Sequence, residues 1–357
     1  MTVERTTVQK TTIPKTTVEN ATVEVINTDS ESKFAFPESV AYRNGAWLPC
    51  KNLHWSVTDI ATTQGVMLVE RLRTAGGRLF DCTLHVGRLG TSAALVGLQC
   101  NDLLLSLPDL IEELVNQNQE FIQFHQDVGV VVLLSPGDPG HQRSTQLSPT
   151  LMMHLTPIPF SQLHKWYEHG CRLHVSETRN VPPESWSPWI KTRSRLQYYL
   201  ADNPVDSTAG KQTGSALKPA SDSIAVLLST RDYITDTSIS NLILLDRQGK
   251  LRSPSKCDIL QGVSLSKVES LAAKLGLELA YCDLTVDDFR EAQEILMTGT
   301  TGFVWAAIEF EGKIIADGKP GPICKAIQRT WSESLGFDFV AQASDVARNV
   351  NIITELS

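Results

Sequence analysis

The apolar residues of this chain change period repeatedly, and each change predicts an element. Tyr42-Arg43-Asn44-Gly45-Ala46-Trp47-Leu48 sets two short runs on either side of Asn-Gly, the dipeptide of a tight hairpin turn. Val66 to Leu72 predicts a strand, and Gly76-Gly77 a second turn before Arg78-Leu79-Phe80. His85 to Leu95 predicts a helix. Pro108 is expected to open an amphipathic helix with Leu110, Ile111, Leu114 and Val115 on one face. Val128 to Leu134 is a continuous apolar run, a strand stopped by Ser135-Pro136-Gly137. Residues 156–163, with two prolines, read as a connector. Beyond them Arg172 to Val175, Ile224 to Leu228 and Leu242 to Leu245 read as strands, and Ile190 to Leu200 as a helix. Ser264 can cap a helix whose apolar face is Val268, Leu271, Ala272 and Leu275, and Thr285-x-x-Asp288 has the pattern of a capping box. Strands and helices mix throughout without a regular βαβ spacing, so the fold class is α/β, of the mixed α+β kind.

Two segments fall outside this patterning. Residues 1–35 carry a five-residue step (Thr6-Thr7-Val8, Thr11-Thr12-Ile13, Thr16-Thr17-Val18) that matches neither the helix nor the strand period, and read as a solvated tail. Asn203 to Ala220 is rich in Gly, Ser, Thr, Lys and Pro and reads as a loop or insertion. The remainder divides into a smaller unit, 36–157, and a larger one, 164–340.

Composition narrows the function. Of 357 residues 41% are hydrophobic, enough for a buried core. The 32 Lys and Arg against 40 Asp and Glu leave a net charge of −8, which argues against a general nucleic-acid binder. No uninterrupted apolar window is long enough to span a membrane, and the N-terminus has no apolar signal core. The seven cysteines are odd in number and form no Cys-x-x-Cys, as expected of reduced thiols in a cytoplasmic protein. Gly210-Lys211-Gln212-Thr213 lacks the first glycine of a phosphate loop, because position 205 is Val. His164, His169 and His174 recur every five residues and share no helical face, so no metal site is expected.

Four segments carry the candidate chemistry. They are Phe80-Asp81-Cys82-Thr83-Leu84-His85-Val86-Gly87-Arg88-Leu89; Trp189-Ile190-Lys191-Thr192-Arg193-Ser194-Arg195-Leu196; Tyr233-Ile234-Thr235-Asp236 followed by Ser240-Asn241-Leu242; and Ile259-Leu260-Gln261-Gly262-Val263-Ser264 with Met297-Thr298-Gly299-Thr300-Thr301-Gly302. Taken alone, each has an ordinary explanation: a surface lysine, an arginine paired to a carboxylate, a turn aspartate, a glycine loop. Their order and spacing, together with Asn44-Gly45, Glu70-x-x-Arg73 and Asp317-Gly318-Lys319-Pro320-Gly321-Pro322, resemble the class IV pyridoxal-phosphate enzymes. That family includes branched-chain and D-amino-acid aminotransferases and aminodeoxychorismate lyase. The resemblance runs from about Tyr42 to about Trp331.

The resemblance implies a two-domain fold with pyridoxal 5'-phosphate in the cleft between domains, and a homodimer. Lys191 matches the lysine that attaches to the cofactor aldehyde and later moves the substrate Cα proton. Arg88 matches the arginine on the cofactor phosphate, Val263 and Ser264 the helix start that receives the same anion, and Thr300 a hydroxyl beside it. Leu260 matches an apolar residue on the pyridine ring, and Thr301 lies near the expected substrate carboxylate. Asp236 stands where the family usually has Glu beside the pyridine nitrogen, one methylene shorter. The stretch Gln64-Gly65-Val66-Met67-Leu68-Val69-Glu70 lacks the aromatic residues common there, so the substrate pocket is expected to differ. Amino transfer between an amino acid and a 2-oxo acid is the leading activity. Arg195-Leu196 also suits the lyase relatives, and Asp236 a degenerate, non-catalytic member.

Overall fold

The computed structural model describes residues 37–140, 147–204 and 223–355. The 1–35 segment and nearly all of the Asn203–Ala220 stretch lie outside the described residues. The first sheet is antiparallel throughout, in the order β2-β1-β6-β5-β3-β4. Its strands are β1 (Val40–Arg43), β2 (Ala46–Pro49), β3 (Leu68–Ala75), β4 (Arg78–Leu79), β5 (Val128–Ser135) and β6 (Thr150–Pro157). Asn44 and Gly45 both take positive φ, 44° and 92°, as the predicted Asn-Gly hairpin requires. The helices among these strands are α1 (Ile60–Thr63), α2 (Cys82–Leu95), α3 (Asn101–Gln117) and α4 (Gln119–His125). Leu68, Leu72, Val130, Val132 and Met153 on one face of the sheet meet Leu89, Leu107 and Ile111 of the helices in one buried cluster. Each such side chain contributes about 1.5–3 kcal/mol on leaving water.

The second sheet runs β12-β11-β10-β13-β14-β7-β8-β9, with β15 paired to β14. It is built from β7 (Cys171–Arg179), β8 (Ser223–Leu228), β9 (Ile234–Thr237), β10 (Asn241–Leu245), β11 (Leu251–Pro254), β12 (Leu279–Cys282), β13 (Glu294–Gly299), β14 (Phe303–Phe310) and β15 (Lys313–Ile314). The helices of this part are α5 (Phe160–His169), α6 (Leu196–Asp202), α7 (Val263–Lys274), α8 (Val286–Arg290), α9 (Pro322–Leu335) and α10 (Phe339–Glu355). Trp305, Trp331, Phe303, Phe310 and Phe339 anchor its core. The mixed α/β class is as expected, and so is the capping box at Thr285 and Asp288. Among the described residues no helix is long and apolar enough to cross a membrane, and no cluster of three metal-ligating side chains occurs. All seven cysteines are free.

Four expectations need correction. Pro108 lies inside α3, which begins seven residues earlier at Asn101. Leu103 and Leu104 pack against the core and Leu107 is buried, which outweighs the hydrogen bond that proline cannot make. The 156–163 connector is mostly regular structure, because β6 runs to Pro157 and α5 starts at Phe160. Ile190 to Arg195 is not helical but runs along β3 with a bridge at Thr192, and the helix starts only at Leu196. Finally, the cap of α7 is Gly262, not Ser264, which sits buried in the first turn.

Candidate active site

Lys191 is held by the backbone of β3. The Val69 N–H donates to the Lys191 carbonyl (2.9 Å), the Arg193 N–H to the Met67 carbonyl (2.8 Å), and Leu68 and Thr192 form an antiparallel bridge. The Lys191 N–H donates to Ser92 Oγ of α2 (3.1 Å). These bonds explain why the segment is not helical: its polar backbone finds partners along a sheet edge that a helix would forfeit. Lys191 is half-buried. Loss of water around its amine, and then the Arg88 cation, pull its pKa down to about 7, against the opposing pull of Glu70.

At one end of the pocket a buried polar cluster surrounds Glu70. Its carboxylate takes two hydrogen bonds from Arg88, from Nε to Oε1 and from Nη2 to Oε2, both 2.8 Å, and His85 Nδ1 lies 2.8 Å from Oε2. Arg88 Nη1 donates to the Gln261 carbonyl just before α7 (3.1 Å). Burial alone would raise the Glu70 pKa and is the largest influence. The charge and hydrogen bonds of Arg88, with His85, reverse it, and the pKa falls to about 2. Burial also lowers the His85 pKa, and its Nε2 is buried without a partner.

At the other end Asp236, on β9, is buried. Its Oδ1 accepts from Tyr198 Oη of α6 (3.0 Å) and from Asn180 Nδ2 (3.2 Å). Both donors are neutral, and burial pushes the Asp236 pKa up to about 6. Arg195 lies over the Tyr198 ring and donates to the Ser238 carbonyl.

One pocket gathers Arg88, Lys191, Asp236, Leu260, Val263, Ser264 and Thr300 from segments up to 212 residues apart in the chain. Thr301 does not line it; the Thr301 carbonyl instead accepts from Arg73 Nη1 (2.6 Å). Close backbone approaches shape the pocket wall. A Cβ at Gly262 would come within 2.1 Å of Asn241 Oδ1, and one at Gly299 within 2.7 Å of the Ile239 carbonyl. Asn241, in turn, holds the Leu260 carbonyl (3.0 Å). Sequence reasoning did not place His85, Tyr198 or Asn180 at the site. His85 carried a signal, since it precedes Arg88 by three residues on one helix; the other two had none.

The family model for class IV amino-transferases matches residues 67–309, and the chain belongs to that family, whose members are transferases. A D-alanine aminotransferase of Bacillus licheniformis is 25% identical over 295 residues, 82% of this chain and 95% of that protein. The branched-chain aminotransferase of Thermoproteus uzoniensis, solved with norvaline, superposes with a TM-score of 0.71 at 20% identity, covering 85% of this chain and 97% of that one. The T.th. branched-chain aminotransferase, solved with N-(5'-phosphopyridoxyl)-L-glutamate, gives 0.69 at 20% identity over 85% and 96%.

Class IV aminotransferases depend on pyridoxal phosphate. The donor set of this pocket fits that group. No side chain caps the start of α7, so its first N–H groups are available to an anion beside Arg88, whose hydrogen bonds to Glu70 and Gln261 leave donors unused. Lys191 offers an amine of lowered proton affinity to an aldehyde, and Asp236 a carboxylate to a ring nitrogen.

Proposed function

We propose that this protein is a pyridoxal-phosphate-dependent aminotransferase that moves an amino group between an amino acid and a 2-oxo acid. The observation that carries the reading is the Lys191 amine, brought to a pKa of about 7 in a pocket with a cationic anion-binding end and a buried carboxylate at the other. An amine poised there is partly unprotonated at neutral pH, as both a nucleophile and a base must be. The cofactor, when bound, supplies the ring that accepts the electron pair left at the substrate Cα. Arg88, the start of α7 at Val263 and Ser264, and Thr300 hold the phosphate. Leu260 packs on the ring. Asp236, steadied by Tyr198 and Asn180, keeps the ring nitrogen protonated, and Lys191 removes and returns the Cα proton. Thr301, next to the pocket residue Thr300 and with its carbonyl fixed by Arg73, is the residue we assign to the substrate carboxylate. A smaller lobe, 36–157, a larger lobe, 164–340, and a homodimer belong to the same reading.

The test is chemical. Protein loaded with the cofactor should show a visible absorption band, and borohydride should fix the label to the one peptide that contains Lys191. Amino exchange with 2-oxoglutarate should then be measurable. A label on another peptide, or no band, overturns the reading. Release of pyruvate and 4-aminobenzoate from aminodeoxychorismate without amino exchange would turn it to the lyase.

A further inference from the structure

Arg195 lines the same pocket as Lys191 and Asp236, and follows Lys191 by four residues in the chain. It stands just before α6 and is half-buried. Its guanidinium is seated twice. Cζ lies 4.5 Å from the centre of the Tyr198 ring, one turn along the chain, and Nη2 donates to the carbonyl of Ser238, two residues past Asp236. Tyr198 in turn donates through Oη to Asp236 Oδ1. One aromatic side chain thus fixes both a buried carboxylate and the cation beside it.

We propose that Arg195 is the cationic partner of the phenolic oxygen of pyridoxal phosphate. The proposal rests on reading this pocket as the cofactor site. The order of groups around the pyridine ring gives the direction. The aldehyde carbon and the ring nitrogen stand opposite each other. The phosphate arm branches from one of the two edges that join them, and the hydroxyl from the other, next to the aldehyde. Lys191 takes the aldehyde, Asp236 the nitrogen, and Arg88 with the start of α7 the phosphate. The hydroxyl edge is left to the side chain that stands between Lys191 and Asp236 on the wall away from α7. Arg195 meets this description. Its charge acts on both Lys191 and Asp236, and it is tied to Ser238 and Tyr198, whereas Arg88 is tied to Gln261 and Glu70.

Charge points the same way. The Ser238 carbonyl takes the one hydrogen bond that the Arg195 guanidinium donates among the described residues, and no carboxylate there lies within ion-pair distance of it. Most of the N–H groups of its fork are therefore free for a ligand. The pocket as a whole is lined by three basic side chains, Arg88, Lys191 and Arg195, against one carboxylate, Asp236. That surplus suits a ligand with two separate anionic groups, a phosphate at one end and an ionised phenol towards the other. An apolar edge in the same place would leave Arg195 half-buried with no counter-charge, which is costly. The pairing also has a chemical consequence. A cation beside the phenolic oxygen favours loss of the proton shared between that oxygen and the nitrogen through which Lys191 is joined to the ring.

The test uses pyridoxamine 5'-phosphate, which has an amine in place of the aldehyde and binds without attaching to Lys191, and its 3-deoxy analogue, which lacks only the hydroxyl. In calorimetry on cofactor-free protein, wild type should bind the parent compound about 10- to 100-fold more tightly than the analogue. Arg195→Leu should weaken the parent by a similar factor and the analogue by less than about threefold. Arg195→Lys, which keeps the charge but not the fork, should fall between. The second readout is the pH titration of the visible band in protein loaded with pyridoxal phosphate. Its midpoint should rise by about 1–2 pH units in Arg195→Leu and return most of the way in Arg195→Lys. Equal weakening of both ligands by Arg195→Leu overturns the proposal and leaves Arg195 as a clamp on the Ser238 carbonyl. Unchanged affinity for the parent overturns it too. Binding of the parent without preference over the analogue fails the proposal alone, whereas no binding of either fails the proposed function with it. Borohydride labelling is read separately: loss of the Lys191 label removes the attachment role and leaves the calorimetric result to stand.

Discussion

Glu70, which holds the pocket residue Arg88, and Asp236, which lines the same pocket, are both buried carboxylates, yet their proton affinities move in opposite directions. Burial pushes both pKa values up and is the largest influence on each. Glu70 faces a cation that donates two hydrogen bonds, with His85 beside it, and ends at about 2. Asp236 faces a phenol and an amide, and ends at about 6. Arg195 and Lys191 also lower the Asp236 pKa, but by charge alone; a cation that donates directly to the carboxylate, as Arg88 does to Glu70, is what outweighs burial. One end of the pocket is therefore complete as it stands. The other is a carboxylate that gains from a cation, as a protonated ring nitrogen would be.

The largest effect should come from the amine between the two ends. Lys191→Ala should abolish the borohydride label and lower amino exchange by at least about 10³-fold, measured as single-turnover rates. Next comes Glu70→Ala, which leaves the Arg88 charge buried without its partner. It should cost about 3–5 kcal/mol in denaturant unfolding. The folded pKa of Glu70 is depressed, so the stability it provides is fully present above the ordinary carboxylate range. The gap between wild type and Glu70→Ala should then stay level from pH 5 to 8, roughly, and narrow as the pH falls through about 2.

Asp236→Asn should behave in the opposite sense. A raised carboxyl pKa means that the folded state binds the proton more tightly than the unfolded state, so stability is lost as pH rises from about 4 to about 6. In cofactor-free protein the variant should therefore gain on wild type by about 2–3 kcal/mol across that window, and show no such gain below it. A flat difference would mean that Asp236 does not titrate there. The same variant should slow Cα proton removal in cofactor-loaded protein. Smallest is Tyr198→Phe, which removes one neutral donor: about 1 kcal/mol of stability, with the Asp236 titration moving further up.

Local signals were read from the chain where one residue's backbone preference suffices. Asn44-Gly45 turns a hairpin because few other dipeptides tolerate two positive φ values, and Thr285 with Asp288 closes a capping box within four residues. The failures came where distant partners outweigh local preference. Pro108 is carried within α3 by the core its neighbours reach, and Ile190 to Arg195 is kept from a helix by hydrogen bonds to β3, over 120 residues earlier. The seven pocket residues could be named in advance through a family resemblance, which encodes long-range contacts that periodicity does not contain. Tyr198 and Asn180 had no such guide, because nothing near Tyr198 in the chain shows that α6 sets its hydroxyl on Asp236.

The sequence by itself determined the mixed class, the core-forming strands, the caps and turns, and the set of side chains able to handle an amine, a phosphate and a ring nitrogen. The chemical type of a side chain and its local dihedral preferences belong to the chain alone. Only the tertiary structure decided that Glu70 is ionised and committed to Arg88, that Asp236 is held by neutral donors, and that Arg71 lies over Gly129 and donates to Thr156. Those outcomes depend on burial and on the charge of groups a few ångströms away, and burial and distance exist only once β3, β9, α2 and α6 have come together.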